Sequence, residues 1–195
     1  MDRTLDLETE RLRIRPFTMA DLKELHAIIG DPVVMRFIPA GPSPNIDVTM
    51  EVMENVIRHQ EAHGYSIWAV TDKFTGRMLG DCGLFLLDGI GPEIEINYHL
   101  AVDHWGRGFA TEAAAECIRY GFDVLELDRI IGLTDPQHVA SQRVLEKNGL
   151  RFEAIKKSYN KQLAVYSISR SHFEELTGPG QDVIRELSDI DSFTG

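Results

Sequence analysis

Cysteine is scarce in this chain: Cys82 and Cys117 are the only two among 195 residues. Two thiols make no disulfide framework, and their spacing matches no metal motif, so neither crosslinks nor a metal is expected. A reducing, cytoplasmic setting is the corresponding expectation. Long apolar runs are also missing. None approaches the roughly 18 residues a membrane span requires, and residues 1 to 15 alternate charged with apolar side chains, so no signal peptide is expected. Basic residues fall short as well, with 20 Lys and Arg against 31 Asp and Glu and a formal net charge of -11. That balance argues against nucleic acid as a partner. It suits a cationic acceptor such as an amine-bearing peptide, or simple solubility. No repeat or low-complexity tract is present. The hydrophobic fraction, 43%, is that of an ordinary globular chain with a real core.

The patterning predicts one domain over residues 1–177 and a separate tail over 178–195. Leu12 and Ile14 alternate with arginines, as in a half-buried strand. Thr18 and Asp21 form a variant capping box, followed by a helical stripe of Leu22, Leu25, Ile28 and Ile29 that Asp31-Pro32 ends. Residues 39–47 read as a loop. A second amphipathic helix carries Met50, Met53, Val56 and Ile57 and closes near Gly64. Strands at 65–71 and 77–87 flank a hairpin signal at 72–76. Residues 93–102 alternate again, with Ile94, Ile96, Tyr98, Leu100 and Val102 on one face and Glu93, Glu95, Asn97, His99 and Ala101 on the other. A helix near 110–123, a strand at 129–134, a helix near 139–148 and strands at 151–157 and 163–169 complete the series. The order β-α-α-β-β-β-α-β-α-β-β predicts a mixed α/β sheet. In the tail, Val183, Ile184, Leu187 and Ile190 form a small stripe that suits either a docked helix or a frayed end.

The chemistry concentrates in the turn His104-Trp105-Gly106-Arg107-Gly108-Phe109-Ala110-Thr111, which a strand enters and a helix leaves. Gly106 and Gly108 let the backbone approach a ligand, Arg107 adds positive charge, and the first helical amides have no intrahelical acceptors. Together they describe a phosphate site. Thr111 stands where a dinucleotide fingerprint needs Gly or Ala, and the Gly-Lys-Ser/Thr of a Walker loop is absent. A nicotinamide enzyme is therefore excluded.

The segment Trp105 to Ala110 resembles the Gln/Arg-x-x-Gly-x-Gly/Ala motif of the GNAT superfamily of acetyltransferases, with Trp105 departing at the first position. With Ala110-Thr111-Glu112-Ala113 following, it is similar to the branch of ribosomal-protein alanine N-acetyltransferases. Glu10 to Pro16, Asp21-Leu22, Trp68-Ala69-Val70, Thr75-Gly76, Leu79-Gly80, Glu95 to Tyr98 and Ala140 to Gly149 agree with that branch. The resemblance spans roughly residues 7 to 170. It implies a mixed, mostly antiparallel twisted sheet flanked by helices on both faces, and acetyl-coenzyme A as co-substrate without a metal. The implied acceptor is a protein N-terminal α-amine or a small-molecule amine, with the protein a monomer or homodimer.

By that resemblance the backbone of Leu100, Ala101 and Val102 holds the pantetheine arm. Gly106, Arg107, Gly108, Phe109, Ala110 and Thr111 hold the pyrophosphate, Phe109 through its amide. Many relatives protonate the departing thiolate with a tyrosine, but Leu145 occupies that place. Ser141 is the nearest hydroxyl by analogy, as acid or as a cofactor contact, and His138 stands where Asn is frequent, either touching the pantetheine arm or idle.

Amine basicity sets the demand for a base. A lysine near pKa ~10.4 and an α-amine near ~7.7 differ by about 3.7 kcal/mol in the cost of the neutral form. Glu95 is the candidate base, with solvent exposure of a polar strand face as its alternative reading. His99 is a second candidate, or a surface histidine. Replacing Glu95 by Gln is expected to tell mainly at low pH, where the amine is most protonated. A different class remains open: a coenzyme A-binding sensor or scaffold without efficient chemistry.

Overall fold

In a computed structural model, which describes residues 5–178, β2 (Leu12–Arg15) runs beside a two-residue strand, β1 (Leu7–Glu8). Thr18 then donates its backbone N–H and its hydroxyl to the Asp21 carboxylate, at 2.8 and 3.0 Å. Arg15 grips the same carboxylate with two nitrogens at 2.8 Å, which holds Asp21 below the usual carboxylate range although burial opposes that. The chain thus enters α1 (Leu22–Ile29) at a fixed angle. Helix α2 (Ile46–His63) starts where the Asn45 side chain accepts the Val48 N–H and stops at left-handed Gly64, φ 77°.

Strands β3 (Ile67–Asp72) and β4 (Met78–Leu86) form the expected hairpin. Asp72 Oδ1 accepts from the Phe74 and Thr75 amides and closes its turn. β5 (Ile94–Leu100), α3 (Phe109–Asp123), β6 (Arg129–Thr134) and α4 (Val139–Lys147) follow, then β7 (Arg151–Ser158), β8 (Lys161–Ser169) and α5 (Arg170–Thr177). The pattern did not signal β1 or α5. The first is two residues long, and the second is a short helix with a single buried apolar residue, Phe173. The tail stripe from Val183 to Ile190 lies outside the described residues.

The eight strands lie in the order β1-β2-β3-β4-β5-β6-β8-β7, antiparallel except for the β5–β6 pair. Strand parity divides the core into two layers. Trp68, Val70, Leu84, Ile96 and Ile130 pack with Ala113, Cys117, Phe122, Leu145 and Phe173, which puts α3, α4 and α5 on one face. Ala69, Met78 and Phe85 face the other way, against Leu25, Ile28, Met53 and Val56 of α1 and α2. The predicted α/β sheet with helices on both faces is the observed fold. Among the described residues no helix is long and apolar enough to cross a membrane.

Candidate active site

The sheet opens at its one parallel junction. In an antiparallel pair, alternate residues turn both backbone groups toward the same neighbour. The Ala101 N–H bonds the Leu79 carbonyl at 2.9 Å, so the odd residues of β5 address β4 and the even ones address β6. Pairing with β4 runs unbroken from Ile94 to Leu100, with no bulge. Pairing with β6 consists of a single bridge, Glu95 with Ile131. Beyond that bridge the strands part, and the even residues Tyr98 and Leu100 turn their amides into the gap.

Downstream, most backbone groups are already used. Val102 leaves the strand and starts a short 3-10 turn, Val102–His104. The Ala101 carbonyl accepts the His104 amide, and the Val102 carbonyl accepts the Trp105 amide. The Trp105 indole N–H donates to the Leu100 carbonyl at 2.7 Å. The unusual tryptophan therefore ties the turn back to the strand. Of the three predicted backbone contacts, the amides of Leu100 and Val102 are the groups left to offer.

Gly106 and Gly108 both take the left-handed conformation, φ 70° and 79°, which a side chain would strain. Gly108 is the cap residue of α3, so the amides of Phe109, Ala110 and Thr111 have no acceptor within the helix, while Glu112 N–H closes on the Gly108 carbonyl. The Phe109 ring is buried in the core, leaving its amide at the turn. Arg11, immediately before β2, braces this turn from outside. Its guanidinium bonds Glu112 at 2.6 and 2.7 Å and the Arg107 carbonyl at 3.0 Å. Arg11 and Arg107 both lie over the Phe109 ring, at 4.5 and 4.9 Å from its centroid. Free amides, the positive end of a helix and paired arginines fit a diphosphate.

The gap is flanked by different chemistry on each face. On the α1/α2 face stands Glu95, buried at 4% exposure, so it is no solvated strand residue. Burial raises its carboxyl to about 7, opposed by hydrogen bonds from Tyr159 and Asn97 and aided by the charge of Asp88. Tyr159, from the β7–β8 turn, donates its hydroxyl to Glu95 Oε1. His99 shares this face and is not a free surface histidine. Its Nδ1 lies 2.9 Å from Asp81 Oδ1, and that carboxylate raises its pKa against the effect of burial.

On the α3/α4 face, the Tyr98 hydroxyl lies 2.8 Å from Ser141 Oγ and 3.1 Å from the Ser141 carbonyl. Burial pushes the Tyr98 phenol up, so it stays protonated. Ser141 is buried in the first turn of α4, and Leu145 fills core space against Gly132, where a glycine Cβ would collide with it. His138 precedes α4, and its ring stacks on Phe37 at 4.5 Å and 18°. Phe37 belongs to the loop whose Val34, Met35 and Ile38 pack with α1 and α2. This contact joins the two layers at the carboxyl end of β6.

Sequence reasoning did not single out Tyr98, Tyr159, Arg11 or Phe37. The alternation puts Tyr98 on the apolar face of its strand, and Tyr159 falls in the unremarked turn between two strands. Nothing local distinguishes a turn tyrosine that packs 64 residues away on Glu95 from any other.

An open parallel junction, a turn with free amides at its mouth, and a carboxyl and a hydroxyl on its opposite faces define the class: an acetyltransferase-type fold. The model of the acetyltransferase (GNAT) domain matches residues 11–151, and the chain belongs to that family. The Bacillus subtilis (strain 168) protein YkkB is 34% identical over 168 residues, covering 85% of this chain and 96% of YkkB. N-acetyltransferase p20 of Bacillus licheniformis is 28% identical, over 80% and 87% of the two chains. Among solved structures, an acetyltransferase (GNAT family) from Bacillus anthracis superposes with a TM-score of 0.74 at 26% identity, covering 86% of this chain and 99% of that one. A Vibrio cholerae spermidine N-acetyltransferase in complex with CoA and spermine reaches 0.70 at 20% identity, covering 85% and 99%, and shares the fold.

Proposed function

We propose that this protein transfers the acetyl group of acetyl-coenzyme A to a primary amine by direct attack, with both substrates bound at once. The acceptor is the α-amine of a protein N-terminus or a small-molecule amine, met in a reducing cytoplasm. The turn from Gly106 to Thr111 takes the diphosphate, and the amides of Leu100 and Val102 take the arm. Ser141 and His138 flank that arm from α4.

The observation that carries the reading is Glu95: a buried carboxyl, poised near neutrality, beside the last bridge before the sheet opens. A neutral amine forms the new N–C bond at the thioester carbonyl as the C–S bond breaks. One amine proton passes to Glu95. Ser141, whose Oγ lies 2.8 Å from the Tyr98 hydroxyl, hydrogen-bonds the departing thiolate from the opposite face. A base that titrates near 7 suits an α-amine near ~7.7 better than a lysine near ~10.4. The likeness to ribosomal-protein alanine acetyltransferases supports the same choice, and the spermidine enzyme on this fold supports the small-amine arm.

The test combines thiol release with mass spectrometry after incubation with acetyl-coenzyme A and pools of free-N-terminus peptides and small amines. An acetylated acceptor is expected. Cofactor binding with no release above hydrolysis, for every pool, would instead mark a coenzyme A-binding module.

A further inference from the structure

Glu95 does not stand alone in its pocket. The β7–β8 connection is a two-residue turn, with Ser158 paired to Lys161 and both central residues left-handed: Tyr159 at φ 50° and Asn160 at φ 58°. Asparagine tolerates that conformation, but a bulky aromatic adopts it rarely. The receiving end is similar. The Asp88 amide donates to the Tyr159 oxygen at 3.1 Å, and Asp88 itself has φ 53°. Two left-handed residues other than glycine thus meet at one phenol. The phenol is tethered by an amide on its lone pair, so its single proton is committed to Glu95 Oε1. A two-residue hairpin turn of this kind requires positive φ at both central residues, and here an aromatic residue fills the first of them.

Resting on the reading of Glu95 as the base, we propose that Tyr159 is the positioning residue of this site. Its hydroxyl holds one oxygen of the Glu95 carboxylate so that the other remains to take the proton, and its ring keeps water from that carboxylate. The two contributions act in opposite directions. The hydroxyl favours the ionised carboxylate, while the ring, by excluding water, favours the protonated acid. The other groups facing Glu95 are the Asn97 amide, which favours ionisation, and the Asp88 carboxylate, which opposes it. Tyr159 is itself partly exposed, at 37%, whereas Glu95 is at 4%.

Opposed contributions make the proposal testable with two substitutions. Tyr159→Phe removes the hydroxyl and keeps the ring; Tyr159→Ala removes both. The direct readout is the titration of the Glu95 carboxyl carbon by NMR in 13C-glutamate-labelled full-length protein, assigned by its loss in Glu95→Gln. In Tyr159→Phe the midpoint is expected to rise by about one pH unit, the size of one hydrogen bond to a charged group. In Tyr159→Ala it is expected to fall below the Tyr159→Phe midpoint, as water reaches the carboxylate. A Tyr159→Phe midpoint equal to wild type would overturn the holding role. A Tyr159→Ala midpoint at or above that of Tyr159→Phe would overturn the shielding role.

The acidic limb of kcat in acetyl transfer is expected to follow the NMR midpoints. If the midpoints move and the limb stays, the assignment of Glu95 as base fails while the hold of Tyr159 on Glu95 stands.

Discussion

A carboxyl that titrates near 7 inside a folded protein leaves a mark on stability as well as on rate. Glu95 ionises at about 7 in the native site and at about 4.3 in an unfolded chain. The native state therefore binds that proton more tightly. Its stabilising contribution is full below the unfolded pKa and is lost as pH rises through 7. The gap corresponds to about 3 to 4 kcal/mol. Glu95→Gln lacks the titration, so its melting temperature is expected to gain on wild type as pH rises from about 5 to about 9. Differential scanning calorimetry across that range checks this, and parallel curves would remove the buried charge. The same value reverses an expectation based on the amine alone. Because Glu95 is ionised only above about 7, Glu95→Gln should lose most turnover there and converge with wild type in acid, not lose most at low pH. A pH-rate profile for both proteins decides between the two.

At the scale of elements, the first turn of α3 is proposed as the diphosphate site because of how it begins. Gly108 as a left-handed cap aims three amides away from the helix, and Arg11 and Glu112 lock that turn to the segment just before β2. Gly108→Val forces a branched side chain into φ 79°, at a cost of about 1–2 kcal/mol, and re-aims those amides. Loss of acetyl-coenzyme A binding by calorimetry is expected with the fold retained. An unaltered affinity would remove the diphosphate from this turn. Trp105 acts on the same geometry by capping the Leu100 carbonyl.

Across the whole molecule, the parting of β5 from β6 turns a sheet into a site. One edge of β5 is fully laddered to β4, and the other is bridged at Glu95 alone. In hydrogen exchange, the Tyr98 and Leu100 amides are expected to exchange readily in the free protein and to be protected strongly by coenzyme A. The laddered Asn97 and His99 amides should be slow in both states. Equal protection of odd and even residues on binding would place the cofactor arm elsewhere. The layers on the two faces close over this gap through the Phe37–His138 stack.

Much of this protein is settled along the chain itself. The alternation over 93–102, the hairpin at 72–76 and the glycine turn at 106–108 depend on near neighbours and on the 2.0 and 3.6 residue periods, so they are legible without a fold. Even there, Val102 left the strand that its parity had placed it in, because the turn to Trp105 recruits its carbonyl. What the tertiary structure alone decided is the state of the groups proposed to do the chemistry. Glu95 reads as one polar residue among alternating neighbours. Only the β7–β8 turn folding Tyr159 onto it, and Ile131 pairing beside it, make it buried and poised near neutrality. The proposed thiolate side follows the same rule: Leu145 stands where many relatives are expected to carry a tyrosine, and Tyr98 reaches Ser141 from a different element, 43 residues away. Desolvation and hydrogen bonds are properties of the assembled site, set by partners that no local window contains.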